Sequence, residues 1–169
     1  MNYDNLHSNL ERYHKECYGW ALHCCHSDKH LAEDVLQTSY LKILEKQKSF
    51  KETSEFKTWA FAIIRNTAID EFRKRKKEYN VDLDDDALHE IPVESETTYS
   101  DLPQEFFEHA LLQLSERQRQ IVQLVFYHEL SLDASAEVMN ITPGAARKYY
   151  DRAKKNLAEW FRAKGIVDY

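Results

Sequence analysis

The amino-acid sequence predicts an all-α protein: two small helical domains joined by an acidic flexible linker, the C-terminal one containing a helix-turn-helix. Three observations predict it. Apolar residues recur at three- and four-residue steps along most of the chain, the period of a helix with one buried face. Only three glycines and three prolines occur in 169 residues, while 31% of residues are charged and Leu, Ala, Glu and Lys abound, a composition that favours helices over sheets. Residues 78–101 lack strong periodicity and carry nine acids with no Lys or Arg, so they read as a linker with little core-forming capacity.

The first helix is expected over residues 6–25, where Leu6, Leu10, Tyr13, Cys17, Trp20, Ala21 and Cys24 form one stripe. Ser27 or Asp28 can cap a second helix whose Leu31, Val35, Leu36, Ser39, Ile43 and Leu44 face inward, leaving Glu33, Asp34, Gln37 and Lys42 outside. A short loop holding Phe50 follows. Thr53 or Ser54 then opens a third helix with Phe56, Trp59, Ala60, Ile63, Ile64, Thr67, Ala68 and Phe72 as its stripe, ending in the basic run 73–77.

Beyond the linker, a helix over residues 102–114 points Phe106, Phe107, Leu111 and Leu114 inward. Ser115 caps the next, with Ile121, Leu124 and Val125 inside, and Ser131 can cap a short one reaching about Met139. Thr142 and Pro143 then place an N-cap and an N1 proline at the head of a last long helix. The implied domains are residues 1–77 and 102–169, on either side of the linker.

A net charge of −6 argues at first against nucleic acid as a partner. The average misleads, because residues 1–77 hold 14 Lys/Arg against 11 Asp/Glu, the linker none against nine, and residues 102–169 nine against nine. Acidity confined to the linker leaves basic faces on either side of it. No apolar run is long enough to span a bilayer and the N-terminus lacks the layout of a signal peptide, so a cytoplasmic protein with no membrane insertion is expected. The three cysteines, an odd number, read as free thiols.

Ala136, Asn140, Ile141 and Ala146 have the spacing of a helix-turn-helix. A small residue lets two helices cross closely, one tolerant of left-handed geometry makes the turn, and apolar residues pin the second helix. That helix carries Arg147, Lys148, Asp151, Arg152, Lys154 and Lys155, a set suited to phosphates and base edges in a major groove.

Joined to the first domain, the motif makes a sharper match. The stretches AEDVLQTSYLKILEKQKSF (32–50), EFKTWAFAIIRNTAIDEFRKRKK (55–77) and LSERQRQIVQLVFYHELSLDASAEVMNITPGAARKYYDRAKKNL (114–157) resemble the extracytoplasmic-function group of the sigma-70 family, in order and in spacing. The resemblance implies a transcription initiation factor that binds core RNA polymerase through its beta and beta-prime subunits. It implies promoter DNA as the other partner, including the single-stranded non-template strand, and an anti-sigma factor or a DNA-targeting protein as a further one.

By position in that family, the first domain engages the polymerase clamp and the minus-ten element, and the second the minus-thirty-five element. Glu33, Asp34 and Gln37 match the clamp-docking patch, where acids beside an amide would complement a basic surface. Asn66 matches the lining of a pocket for a flipped base, with Phe50 and Phe61 to stack nearby. Lys57, Arg65, Arg73, Lys74 and Arg75 would hold phosphates of the opened strands. Thr142 and the charged residues of the last helix would face the minus-thirty-five duplex. Trp59 reads as core rather than wedge. In many relatives Thr-Val follows the glycine and an Arg lies two residues past the first basic one, whereas this chain departs from that pattern with Ala145, Ala146 and Tyr149.

Neither a phosphate-binding loop nor a nucleophile–base pair nor a carboxylate dyad is found, so no catalytic residue and no cofactor is expected. Cys17, His23, Cys24, Cys25, His26 and His30 invite a zinc reading, but Cys17 and Cys24 fall on the apolar stripe and no repeated C-x-x-C supplies four ligands. The rival functions are a helix-turn-helix regulator that binds duplex DNA unaided and a sigma-like factor placed on DNA by a partner protein.

Overall fold

The computed structural model describes residues 3–50, 55–78 and 104–165. By contact the chain divides into two compact units, Met1–Asp82 with Ala134–Asn140, and Leu83–Asp133 with Ile141–Tyr169. Among the described residues there is no strand. The expected caps at Thr53 or Ser54, and nearly all of the expected linker, lie outside the described residues.

In the first unit, helices α1 (Tyr3–Cys24), α2 (Lys29–Lys46) and α3 (Phe56–Glu78) pack on one another. Leu6, Cys17, Trp20 and Ala21 of α1, Leu31, Val35 and Ile43 of α2, and Ala60, Phe61 and Ile64 of α3 are buried. Trp20 is tied down twice: its Nε1 donates to the Phe61 carbonyl at 3.1 Å, and its ring stacks on the Phe61 ring at 5.6 Å. So large a ring is buried with its polar atom satisfied, and the pair links α1 to α3.

Helix α1 stops because His26 and Ser27 take left-handed φ values of 52° and 67°, a conformation that costs a residue with a Cβ roughly 1–2 kcal/mol. Asp28 restarts the chain by accepting from the Leu31 amide at 3.0 Å, which satisfies one orphan donor of α2. Leu44, expected inside, is 37% exposed and Leu41 is 63% exposed, so α2 leaves an apolar strip on its outer side. The inward stripe of α2 is filled by Leu31, Ala32, Val35, Leu36, Ser39 and Ile43, and a seventh position is not needed to close it.

In the second unit, α4 (Gln104–Leu112) and α5 (Glu116–Val122) pack against α7 (Pro143–Ala163). Ser115 and Gln118 form a reciprocal capping box at the head of α5. Beyond Val122 the helix widens into a π-helical turn, Gln123–Tyr127, which the periodicity does not signal. The widening leaves Val125 half-buried and turns Phe126, 57% exposed, and Tyr127 outward.

Helix α6 (Leu132–Met139) buries Ser135, Ala136, Val138 and Met139. Asn140 then takes a left-handed φ of 54°, and Thr142 accepts from the Ala145 amide at 3.1 Å to start α7 behind Pro143. This is the turn of the helix-turn-helix, built as its residue types require. The residues Ala134–Asn140 cluster with the first unit, whereas the sequence places them in the second domain.

Candidate nucleic-acid interface

Three surfaces carry the residues singled out in the sequence. On α2, Glu33, Asp34 and Gln37 are all exposed, and Leu41 and Leu44 continue the same side at helical spacing. The result is an acidic and amide patch that runs into an apolar one. Leu41 was not visible as part of it, because an exposed leucine and a core leucine look alike when a helix stripe is read by period.

On α3 and in the loop before it the eight candidate residues separate. Asn66, Arg73, Lys74 and Arg75 are exposed. Asn66 and Arg73 are seven residues apart, so they share one side of the helix with two turns, about 10 Å, between them. Lys74 donates to Glu71 at 2.9 Å, and that bond holds its ammonium above the ordinary lysine range.

The other four are not presented in this way. Phe61 is fully buried beneath Trp20, so it is core and the stacking role read from the sequence does not fit its place. Arg65 is buried as well, and a cation shielded from solvent is poorly placed to collect phosphates. Lys57 is ion-paired with Glu16 and lies 5.7 Å from the Phe61 ring centroid, which commits it to joining α1 and α3. Phe50 is half-buried, 4.8 Å from Trp59 and edge-on to Phe56, within an aromatic cluster that Tyr13 completes through Phe56. Trp59 belongs to that cluster.

On α7, Thr142, Arg147, Lys148, Asp151, Arg152, Lys154 and Lys155 are all exposed. Ala146, Ala153 and Leu157 are buried on the opposite side. Several cations have acidic neighbours: Arg147 with Asp133 at 3.9 Å, Lys154 with Asp151 at 3.2 Å and Lys155 with Glu159 at 3.9 Å. Such exposed pairs contribute little and yield readily to phosphate. Among the described residues Lys148 and Arg152 have no recorded ion pair.

Two of the cysteines are chemically quiet. Burial pushes the Cys17 and Cys25 thiols up to about 12, so neither is a ready nucleophile or metal ligand. Among the described residues no group of three His, Cys, Asp or Glu is arranged to hold a metal ion, and no helix is long and apolar enough to cross a membrane.

Residues 10–78 match the Sigma-70 region 2 family and residues 107–157 the Sigma-70 region 4 family. The chain is 30% identical over 144 residues to the ECF RNA polymerase sigma factor SigM of Bacillus subtilis, covering 83% of this chain and 85% of that one. It is 32% identical over 132 residues to the ECF RNA polymerase sigma factor SigF of Caulobacter vibrioides, covering 77% and 70%. The chain belongs to the extracytoplasmic-function group of the sigma-70 family. The fold of this sigma factor also matches that of the sigma factor RpoE from Bartonella quintana, solved with the anti-sigma factor NepR. The TM-score is 0.71 at 26% identity, over 94% of this chain and 97% of that one. Region 2 of this sigma factor takes in α2 and α3 with most of α1, and region 4 runs from within α4 to Leu157 in α7. The exposed α2 and α3 residues therefore lie in region 2 and the exposed face of α7 in region 4.

Proposed function

We propose that this transcription initiation factor binds core RNA polymerase through its beta and beta-prime subunits, carries it to a promoter and helps open the minus-ten region. The observation that carries the reading is on α3, where an exposed amide, Asn66, stands among residues 56–69 that are otherwise buried or half-buried and is followed on the same side by Arg73. An amide can pair with the edge of an extruded base, and cations two turns further along can hold the phosphates of the strand it came from. Capturing bases in this way offsets an unstacking cost of a few kilocalories per mole, so opening needs no nucleotide hydrolysis. No catalytic residue is assigned, and the factor acts in the cytoplasm.

Glu33, Asp34 and Gln37, extended by Leu41, form the polymerase-docking patch in this proposal. Arg73, Lys74 and Arg75 contact the opened strands. Thr142, Arg147, Lys148, Asp151, Arg152, Lys154 and Lys155 face the minus-thirty-five duplex, with Asp151 able to accept from cytosine. The co-crystal structure of RpoE with NepR supports an anti-sigma factor as a regulator of this chain too.

Transcription reconstituted from core RNA polymerase, this chain and genomic DNA tests the proposal. Discrete transcripts that require the chain support it, and Asn66→Ala should reduce open complexes on those promoters about tenfold, as read by permanganate reactivity of unpaired thymines. Tight binding of a specific duplex without polymerase, together with no initiation, would show instead a stand-alone helix-turn-helix regulator.

A further inference from the structure

Tyr149 is an uncharged residue on the cationic helix α7, and its hydroxyl is already engaged. It accepts from Arg117 Nη1 at 3.0 Å, and the guanidinium carbon of Arg117 lies 5.8 Å from the centroid of its ring. Arg117 sits in the first turn of α5, directly after Ser115 and Glu116. Its neighbour Gln118 makes a second tie, accepting from Asn156 Nδ2 at 3.2 Å. Two consecutive residues of α5 thus hold two positions seven apart on one flank of α7. Between those positions, three residues from one and four from the other, stands the exposed Arg152.

A guanidinium has five donors in a rigid fork, and Tyr149 occupies one of them. Arg117 is half-buried, so part of its side chain reaches solvent. An unrestrained arginine loses much rotamer freedom when it takes a ligand, and a hydrogen bond combined with a ring contact removes part of that loss beforehand.

We propose that Tyr149 is a positioning residue for duplex DNA: it holds the Arg117 guanidinium on the Arg152 flank of α7, so that α5 supplies a phosphate ligand where α7 itself is uncharged. The inference rests on α7 being the duplex-facing helix. A second guanidinium at position 149 would repel Arg117 instead of seating it.

The chain assembled with core RNA polymerase is used to recover a duplex from a random-sequence library. Wild-type and variant assemblies are then titrated with that duplex between about 50 and 200 mM salt. Arg117→Ala should weaken binding roughly tenfold and make the slope of log affinity against log salt shallower by about 0.9, the loss of one phosphate contact. Tyr149→Phe keeps the ring and the fold but removes the acceptor, and it should also make the slope shallower although no charge has been removed. The double variant should lose no more than Arg117→Ala alone. An unchanged slope for Tyr149→Phe, or losses that add in the double variant, would overturn the positioning role. A wild-type slope near zero would instead remove α7 as the duplex-facing helix, a failure of the parent reading that the variants do not mimic.

Discussion

Helices α3 and α7 are of similar length and each carries several arginines and lysines, yet they present them differently. Helix α3 is enclosed around much of its circumference, with Phe56, Thr58, Ala60, Phe61, Ile63, Ile64, Arg65, Thr67 and Ala68 buried, and it offers solvent a narrow strip and a basic tail. Helix α7 buries only Ala146, Ala153 and Leu157 and shows solvent a broad charged face. The difference teaches that a charged or aromatic residue in a nucleic-acid motif is a reliable surface marker only where the helix has one partner side. Enclosed between α1 and α2, α3 turns Phe61 into core and Lys57 into a tie.

The contrast is broken most severely through the core. Trp20→Ala removes a fully buried indole with its hydrogen bond to the Phe61 carbonyl and should destabilise the first unit by about 3–5 kcal/mol, read from urea unfolding followed by circular dichroism. A change below about 1 kcal/mol would mean that α3 is held mainly by other contacts.

A sharper separation comes from two arginine changes. Arg65→Ala should cost about 1.5–3 kcal/mol in unfolding while leaving the salt slope of promoter binding unchanged, because Arg65 is buried and belongs to the fold. The pair Arg73→Ala and Arg75→Ala should do the reverse, with stability nearly unaltered and a slope on single-stranded DNA shallower by roughly 1.4, at about 0.7 per contact. Equal behaviour of the two sets would erase the distinction between enclosed and exposed cations on α3.

The thiols give a pH test of the same enclosure. Cys17 and Cys25 have their pKa raised from 9.0 to about 12 by burial, so the folded state keeps protons that the unfolded chain releases. Their contribution is complete below pH 9 and is lost as pH rises from 9 through 12. Native protein at pH 8 should therefore resist iodoacetamide at both residues, whereas protein in urea should be alkylated. Rapid native labelling, read by mass spectrometry, would show that the core opens. The smallest effect is expected on α7, where Asp133→Ala frees Arg147 from an exposed pair at 3.9 Å and should change stability by less than about 0.5 kcal/mol.

Much of this was legible in the sequence, and for identifiable reasons. The helices announced themselves through stripes such as Leu6–Cys17–Trp20–Cys24, and the caps at Asp28, Ser115 and Thr142 through side chains that can accept from a backbone amide. The helix-turn-helix turn was visible because Asn140 tolerates the left-handed conformation that it adopts. Exposure was harder to read. Residue type marks an arginine as polar, but Arg65 is enclosed by the packing of its neighbours, which a one-dimensional period does not contain. Leu41 and Leu44 were hidden for the opposite reason, as apolar residues left outside a core that was already full. The partnership of Tyr149 with Arg117 joins residues 32 apart, and no local spacing rule reaches so far.

The π-helical turn at Gln123–Tyr127 has a consequence for how this chain can change over time. Within it His128 N–H reaches back five residues to the Gln123 carbonyl, at 3.2 Å, so the helix accommodates one residue more than an ordinary turn would. Removing a single residue there would let the segment close as an ordinary α-helical turn, so the wide turn would be lost while the residues on either side kept nearly the same register. A one-codon deletion in this turn would thus be absorbed where it occurs, giving region 4 one position at which its length can change without turning the helices that follow.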